Sequence, residues 1–326
     1  MSSKSIVVTS PLDLSEEQKN RLGRQLVVSY HDSEPATAAE WLERCKGFEF
    51  VCSGKSGMTW PVKDDGPKDD YALYHLEAGS CVSFPFVNVN LFPKDRVREA
   101  GINLGYAPGC NAGSVAEWVM LAILGIYRLP HDEDGDILQR KRSLIGKKLT
   151  VLGGNGHVGK EVIKRAQPFD MEVTNFCRHK EDASSAPSCQ SDLTLAVADA
   201  DVVVNCLSSN PENQGMLNAE FFQSMRSGSV FVTMTSPAST GGVWVIPDLL
   251  AALDSNHLYV AAIDIGNRAP GDETAPTYLE VKDHPAILAT PQIAHFTDVS
   301  AERSFDMMID NIEAAIKGEL MPYSWA

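Results

Sequence analysis

The sequence predicts an α/β protein: a doubly wound parallel sheet, with a smaller α/β lobe ahead of it. Three observations lead there. Short apolar strand patterns alternate with helical ones from Leu149 to Gln292, and such βαβ alternation makes a parallel sheet. The stretch "VLGGNGHVGKEV" sets a glycine turn between an apolar strand and a helix. The 326 residues suffice for two domains of ordinary size.

The elements follow in order. "SIVVTS" gives a first strand at residues 6–8, and "LSEEQKNRLGRQL" a helix opened by a capping box of Ser15 and Gln18. "FEFVCSG" and "SCVSFPFV" are further strands. The polar, turn-rich "MTWPVKDDGPKDD" between them is a loop. "NAGSVAEWVMLAILGIYRL" is a long helix from near Ser114 to about Arg128. It is apolar almost all round and so buried on most sides. "PHDEDGDILQRKRSLIGKK" is a charged surface connector. Then come "LTVLGG" as strand, 159–166 as helix, and "MEVTNFC" and "DVVVNCL" as strands. "NAEFFQSM" is a helix ended at Gly228, "SVFVTMT" a strand, "PDLLAALDS" a helix, "LYVAAIDIG" a strand and "AILATPQ" a last short strand. The closing "SAERSFDMMIDNIEAAIKGEL" is an amphipathic helix expected to pack back on the first lobe. The expected lobes are residues 1–107 plus 296–326, and 108–295.

Composition excludes some classes. A formal charge of −15 argues against nucleic acid and anionic membranes as partners. No stretch approaches the roughly 18 apolar residues that span a bilayer, and the first apolar run is too short for a secretory signal. Seven cysteines without CxxC pairs fit no closed disulfide framework, so a reduced, cytoplasmic setting is expected. Eight histidines show no close metal-ligand spacing, and no metal is expected.

The glycine turn carries the chemistry. Gly154, Gly156 and Gly159 form G-N-G-H-V-G, with His157 and Val158 between the last two. Gly154 is expected to permit the tight turn, Gly156 to let the backbone approach a pyrophosphate, and Gly159 to bring the helix close to the sheet. The helix N-terminus then offers N–H groups to phosphates. His157 either donates to a phosphate or is an exposed loop histidine without a role. Eighteen residues past Gly159, Cys177 stands where an Asp or Glu would accept from the adenosine ribose. A cysteine accepts poorly. Its neighbour Arg178 either meets a 2′-phosphate or is merely solvated, so NADP is favoured and NAD stays open.

Nearly the whole chain resembles the D-isomer-specific 2-hydroxyacid dehydrogenases. The resemblance is carried by "APGCNAGSVAEWVMLAIL", "GKKLTVLGGNGHVGKEVIKRAQPFDMEV", "ADADVVVNCLSSNPENQGMLNAEFFQSMRSGSVFV", "HLYVAAIDI" and "ILATPQIAHFT". It implies two Rossmann-like lobes, the smaller flavodoxin-like, with a cleft between them. It also implies a homodimer through the long helix and its connector, and hydride transfer between a nicotinamide and a 2-oxo acid. On the cofactor side it assigns Asp264 to the neighbourhood of the nicotinamide amide, Val115 to the packing of that ring, and Cys206, Leu207 and Ser208 to the loop over the adenosine side.

The family's three catalytic side chains are missing from their matching positions. Its arginine falls at Ser236, or at Thr240 in an alternative register, and no Arg or Lys occurs from Ser227 to Asn267. Its glutamate falls at Ala269 and its histidine at Gln292. His295, three residues on, either turns into the cleft as an acid/base or is a boundary histidine. In the substrate loop, Phe84 and Phe86 form either an apolar wall or ordinary strand packing. The reading is an NAD(P)-dependent oxidoreductase with a remodelled site. Ser236, Gln292 and His295 orient a small, neutral or apolar carbonyl-type substrate. The alternative is a cofactor-binding pseudoenzyme, acting as a redox sensor or assembly partner.

Overall fold

The computed structural model describes residues 4–24, 26–63, 66–87, 89, 91–129, 142–177, 188–266 and 270–325. They form two compact units, one of residues 1–110 and 298–326, the other of 111–297.

In the first unit, five parallel strands are β1 (Ser5–Val8), β2 (Val27–Tyr30), β3 (Phe50–Cys52), β4 (Cys81–Ser83) and β5 (Asn103–Gly105). Their order is β2-β1-β3-β4-β5, the flavodoxin-like order. The helices are α1 (Glu16–Gly23), α2 (Ala38–Cys45) and α3 (Lys94–Glu99), with α10 (Asp298–Ile316) returning from the chain's end. The capping box is present: Ser15 Oγ accepts from Gln18 N at 3.2 Å, and Ser15 N donates to Gln18 Oε1 at 3.0 Å. Two devices hold α10. The Arg21 guanidinium on α1 meets Asp306, Asp310 and Glu313, carboxylates that push its pKa up. Buried Asn311 donates to Ser83 Oγ and to Tyr106 O, each at 3.1 Å. Gly105 leaves room for that amide, since a Cβ there would lie 2.6 Å from Asn311 Nδ2.

In the second unit, α4 (Ala112–Arg128) leads into seven parallel strands. They are β6 (Lys148–Leu152), β7 (Glu172–Phe176), β8 (Cys189–Gln190), β9 (Val202–Asn205), β10 (Val230–Thr233), β11 (Val260–Asp264) and β12 (Ile287–Thr290). The order β12-β11-β10-β9-β6-β7-β8 reverses direction between β6 and β9. In open α/β sheets, ligands bind at such a switch point, beyond the strands' carboxyl ends. The crossovers are α5 (His157–Ala166), α6 (Leu193–Val197), α7 (Ala219–Ser224), α8 (Ile246–Asp254) and α9 (Pro276–Leu279). The central strands read as unbroken apolar runs because helices cover both faces: every residue of β9, β10 and β11 is buried. One core packs α4 and α5 with Val151, Val204 and Val232. The other packs α6, α7 and α8 with Val203, Phe231 and Trp244.

Three details differ from expectation. Helix α5 starts at His157 rather than Gly159, so the glycine turn leads straight into it. Helix α7 ends at Ser224, with Met225 extended, and Gly228 lies within the Arg226–Ser229 turn that follows. Cys177 and Cys189 are joined as a disulfide, contrary to the expectation of unpaired thiols. The charged connector falls largely in 130–141, outside the described residues. Among the described residues, no helix is long and apolar enough to cross a membrane.

Candidate functional site

The site on the second unit is assembled from loops at the carboxyl ends of β6, β7, β9, β10, β11 and β12. The glycine turn after β6 comes first. Its left-handed residue is Gly153, at φ +81°, so the tight turn falls one position before Gly154. Gly154 has a different task. A Cβ there would lie 2.3 Å from Asn175 Oδ1, the atom that accepts its N–H at 2.9 Å. Gly159 does bring helix to sheet: a Cβ would lie 2.3 Å from Gly153 O, a backbone atom that cannot step aside. Gly156 is the N-cap of α5 and carries no side-chain cap. His157, exposed, and Val158, half-buried, open the helix. A ten-residue helix with an uncapped N-terminus and an open glycine approach fits the phosphates of a dinucleotide.

Asn175 on β7 was not singled out by the sequence. It is fully buried, and its Nδ2 donates to Asn155 Oδ1 at 2.8 Å. One amide therefore fixes two residues of the turn. The signal was an asparagine at a position that alternates with Val173 on the buried face of β7. Asn205, at the end of β9, works the same way. It donates to Thr233 Oγ1 and Thr235 Oγ1 and accepts from Leu207 N. It thereby ties the loop of Cys206, Leu207 and Ser208 to the loop after β10. Cys206 N donates to Leu152 O at 2.8 Å, which seats that loop beside the glycine turn. Cys206 and Leu207 are half-buried and Ser208 is exposed. Buried Cys177 follows β7, and its sulfur is committed to Cys189. Arg178 and Ala269 lie outside the described residues.

After β10, Ser236 is exposed. Its loop is rigid: Trp244 Nε1 donates to Thr235 O at 2.8 Å, and Val243 N to Ser236 O at 3.1 Å. Thr240, the alternative match, donates to Pro237 O within the same loop.

Buried Asp264 organises the turn after β12. Its Oδ1 accepts from Thr290 Oγ1 and from Ile293 N, and its Oδ2 from Ala294 N at 3.0 Å. Both carboxylate oxygens hold backbone around Gln292. Gln292 itself is left-handed, at φ +56°. It lies against Gly266, where a Cβ would come within 2.9 Å of Gln292 Cβ. Among the described residues its buried Oε1 has no hydrogen-bond donor. His295 is half-buried three residues on. Val115, on α4, shares a buried cluster with Ala294. Ser114 Oγ and Thr297 Oγ1 are hydrogen-bonded at 2.7 Å.

Phe84 and Phe86 belong to the other unit. Phe84 is fully buried, its ring 5.7 Å from that of Phe86 and 5.9 Å from that of Phe92. As placed, Phe84 packs the core rather than walling a ligand. Phe86 keeps partial exposure, with the Lys55 ammonium 4.9 Å from its ring centre.

Comparison with known proteins identifies the family. Residues 132–294 match the family described as D-isomer specific 2-hydroxyacid dehydrogenase, NAD binding domain. The chain is 26% identical over 310 residues to a human glyoxylate reductase/hydroxypyruvate reductase, covering 90% of this chain and 89% of the relative. It is 26% identical to a glycerate dehydrogenase of Hyphomicrobium methylovorum, covering 100% of both. Among solved structures, a D-lactate dehydrogenase from Treponema pallidum is similar with a TM-score of 0.76, 18% identity and 99% coverage of each chain. That likeness shows the fold.

Proposed function

Because the chain belongs to the D-isomer-specific 2-hydroxyacid dehydrogenase family, we propose that it is an NAD(P)-dependent oxidoreductase with a non-canonical active site. Its substrate is a neutral or apolar carbonyl-type compound rather than a short 2-oxo acid. The observation that carries this reading is the contrast within one unit. The dinucleotide cradle is built to close tolerance, while the polar groups beyond β10 and β12 are uncharged Ser236 and Gln292.

Each group has a task in this reading. Gly156, His157 and Val158 present α5's N-terminus to the phosphates, and Gly153 and Gly159 keep that approach open. Cys206, Leu207 and Ser208 border the adenosine side. Val115 packs behind the ring, and Asp264 holds the turn beside it. A bound nicotinamide supplies or takes the hydride. Ser236 and Gln292 orient the carbonyl by hydrogen bonding, but neither surrenders a proton near neutral pH. His295 is the proton source, since histidine is the side chain that titrates in that range. With no Arg or Lys from Ser227 to Asn267 to pair a carboxylate, a lactate-like acid is held weakly. NADP is preferred to NAD, because Cys177 rather than a carboxylate stands at the end of β7, where an acid would accept from a ribose and repel a 2′-phosphate. A second copy of the chain covers the apolar face of Leu121, Leu124 and Phe169 on and beside α4 and α5; Leu121 is 68% exposed.

The test follows absorbance of NADPH with a panel of carbonyl, imine and enone compounds. Turnover with a neutral carbonyl compound supports the reading. A kcat/KM of about 10⁴ M⁻¹s⁻¹ with pyruvate, glyoxylate or hydroxypyruvate, an ordinary enzyme value, defeats the substrate assignment. Tight cofactor binding without any turnover favours the pseudoenzyme. Calorimetric titration with both cofactors decides NADP against NAD.

A further inference from the structure

Cys177 stands at the position of the missing ribose carboxylate, and the fold brings it a partner. β8 is the outermost strand of its sheet and has two residues, Cys189 and Gln190. It is parallel to β7, with Asn175 opposite Cys189. Cys177 N donates to Gln190 O at 3.0 Å and Asn175 N to Ser188 O at 2.8 Å. The Cα atoms of Cys177 and Cys189 are 5.9 Å apart, inside the range of about 4.4–6.8 Å that a disulfide spans.

We propose that Cys177 and Cys189 are a thiol–disulfide exchange site, reacting with low-molecular-weight thiols and disulfides, whose oxidised state tightens dinucleotide binding. The functional half of this inference rests on the cofactor reading above. The argument is mechanical. A two-residue edge strand is a weak attachment by itself. While oxidised, the covalent link secures it and fixes the end of β7. Asn175, two residues before Cys177, is the residue that anchors the glycine turn. A clasp on β7 therefore holds the ribose end and the phosphate turn together before any ligand arrives, and preordering of this kind raises affinity.

The exchange is balanced as follows. Cys177 is 3% exposed and Cys189 half-buried, so Cys189 reacts first. Its thiolate attacks the S–S bond of a small disulfide such as oxidised glutathione. A mixed disulfide forms and one small thiol leaves. The Cys177 thiolate then attacks the Cys189 sulfur, the protein disulfide closes and the second small thiol leaves. The protein loses two electrons and two protons, and the small disulfide gains them.

The experiment equilibrates the full-length protein in glutathione buffers of graded ratio, alkylates free thiols and maps them by mass spectrometry. Each end state is then titrated with NADPH and NADH. The expected result is a Cys177–Cys189 crosslink under oxidising conditions and affinity on the order of tenfold higher in that form. Saturating dinucleotide should shift the exchange equilibrium by the same factor, as linkage requires. A Cys189→Ser variant should bind with the affinity of the reduced protein in either buffer. Free thiols at both positions under oxidising conditions would overturn the proposal, as would equal affinity in the two forms or tighter binding by the reduced one. Binding by neither form defeats the cofactor reading and this inference with it, whereas equal binding by both defeats this inference alone.

Discussion

Replacing Asn175 by alanine tests whether one buried amide holds the dinucleotide turn. The perturbation removes two bonds. Loss of Oδ1 strands the Gly154 N–H, and Gly154 is buried. A buried donor left without a partner costs about 1–3 kcal/mol. Loss of Nδ2 removes one bond to the half-buried Asn155 Oδ1, at about 1 kcal/mol. Together they amount to about 2–4 kcal/mol. In a domain of this size each kcal/mol lowers the melting temperature by about 2–4 °C, so a fall of roughly 5–15 °C is expected. The assay is differential scanning calorimetry, following the transition of the cofactor-binding unit. Nicotinamide dinucleotide affinity, measured below the melt, should fall at least tenfold because the turn loses its anchor. Glutamine, one methylene longer, should not rescue it, since Gly154 already sits against the amide oxygen. A melting temperature within 1–2 °C of wild type would refute the reasoning, because it would mean that the Gly154 N–H finds another partner at no cost.

Three other outcomes are expected. Gly159→Ala places a methyl 2.3 Å from Gly153 O; α5 must move away from β6, and calorimetric titration should show dinucleotide affinity falling at least tenfold. Gln292→Gly relieves the left-handed backbone at φ +56°, so thermal melting should hold or rise by a few degrees while turnover of any identified substrate falls on the order of 100-fold. Burial pushes the Cys45 and Cys52 thiols up to about 12; at pH 8 only about 10⁻⁴ of each is thiolate. Iodoacetamide should therefore leave both unmodified in the native protein and label them once it is unfolded, and mass spectrometry decides it.

Most of the second unit was legible because its strands are buried on both faces. A run such as Val202–Asn205 can be little else between two helical patterns. The glycine turn was legible as a motif, but not in its division of labour. Spacing assigned the tight turn to Gly154, whereas Gly153 takes the left-handed conformation. Two adjacent glycines give the sequence no means of choosing. The strands β2 and β8 were not legible for a different reason. Each is a sheet edge, paired on one side only. Val27 is 61% exposed, and β8 is too short to show any periodicity. The pairing of Cys177 with Cys189 depends on β8 docking beside β7, a tertiary event that an odd cysteine count does not encode. The positions of Ser236, Gln292 and His295 followed from the family resemblance. Their environments did not, because Trp244, Asp264 and Gly266 create them from distant parts of the chain.

The environment of Gln292 bears on which reading of the protein is better. A side chain in the left-handed region costs on the order of 1 kcal/mol relative to glycine. The turn holding it takes both oxygens of a buried carboxylate, Asp264, together with Thr290, and needs glycine at 266. None of these features requires glutamine for folding. Glycine at 292 would accept the same backbone without strain, and it would leave no buried Oε1 that lacks a donor among the described residues. Strain that persists in a turn fixed so firmly is a reason to look for a task performed by that side chain. A chain kept only to hold a dinucleotide needs its cradle after β6, not a strained amide after β12. The cost carried at Gln292 therefore favours the oxidoreductase over the bare cofactor-binding protein, and it places the burden of substrate orientation on that amide.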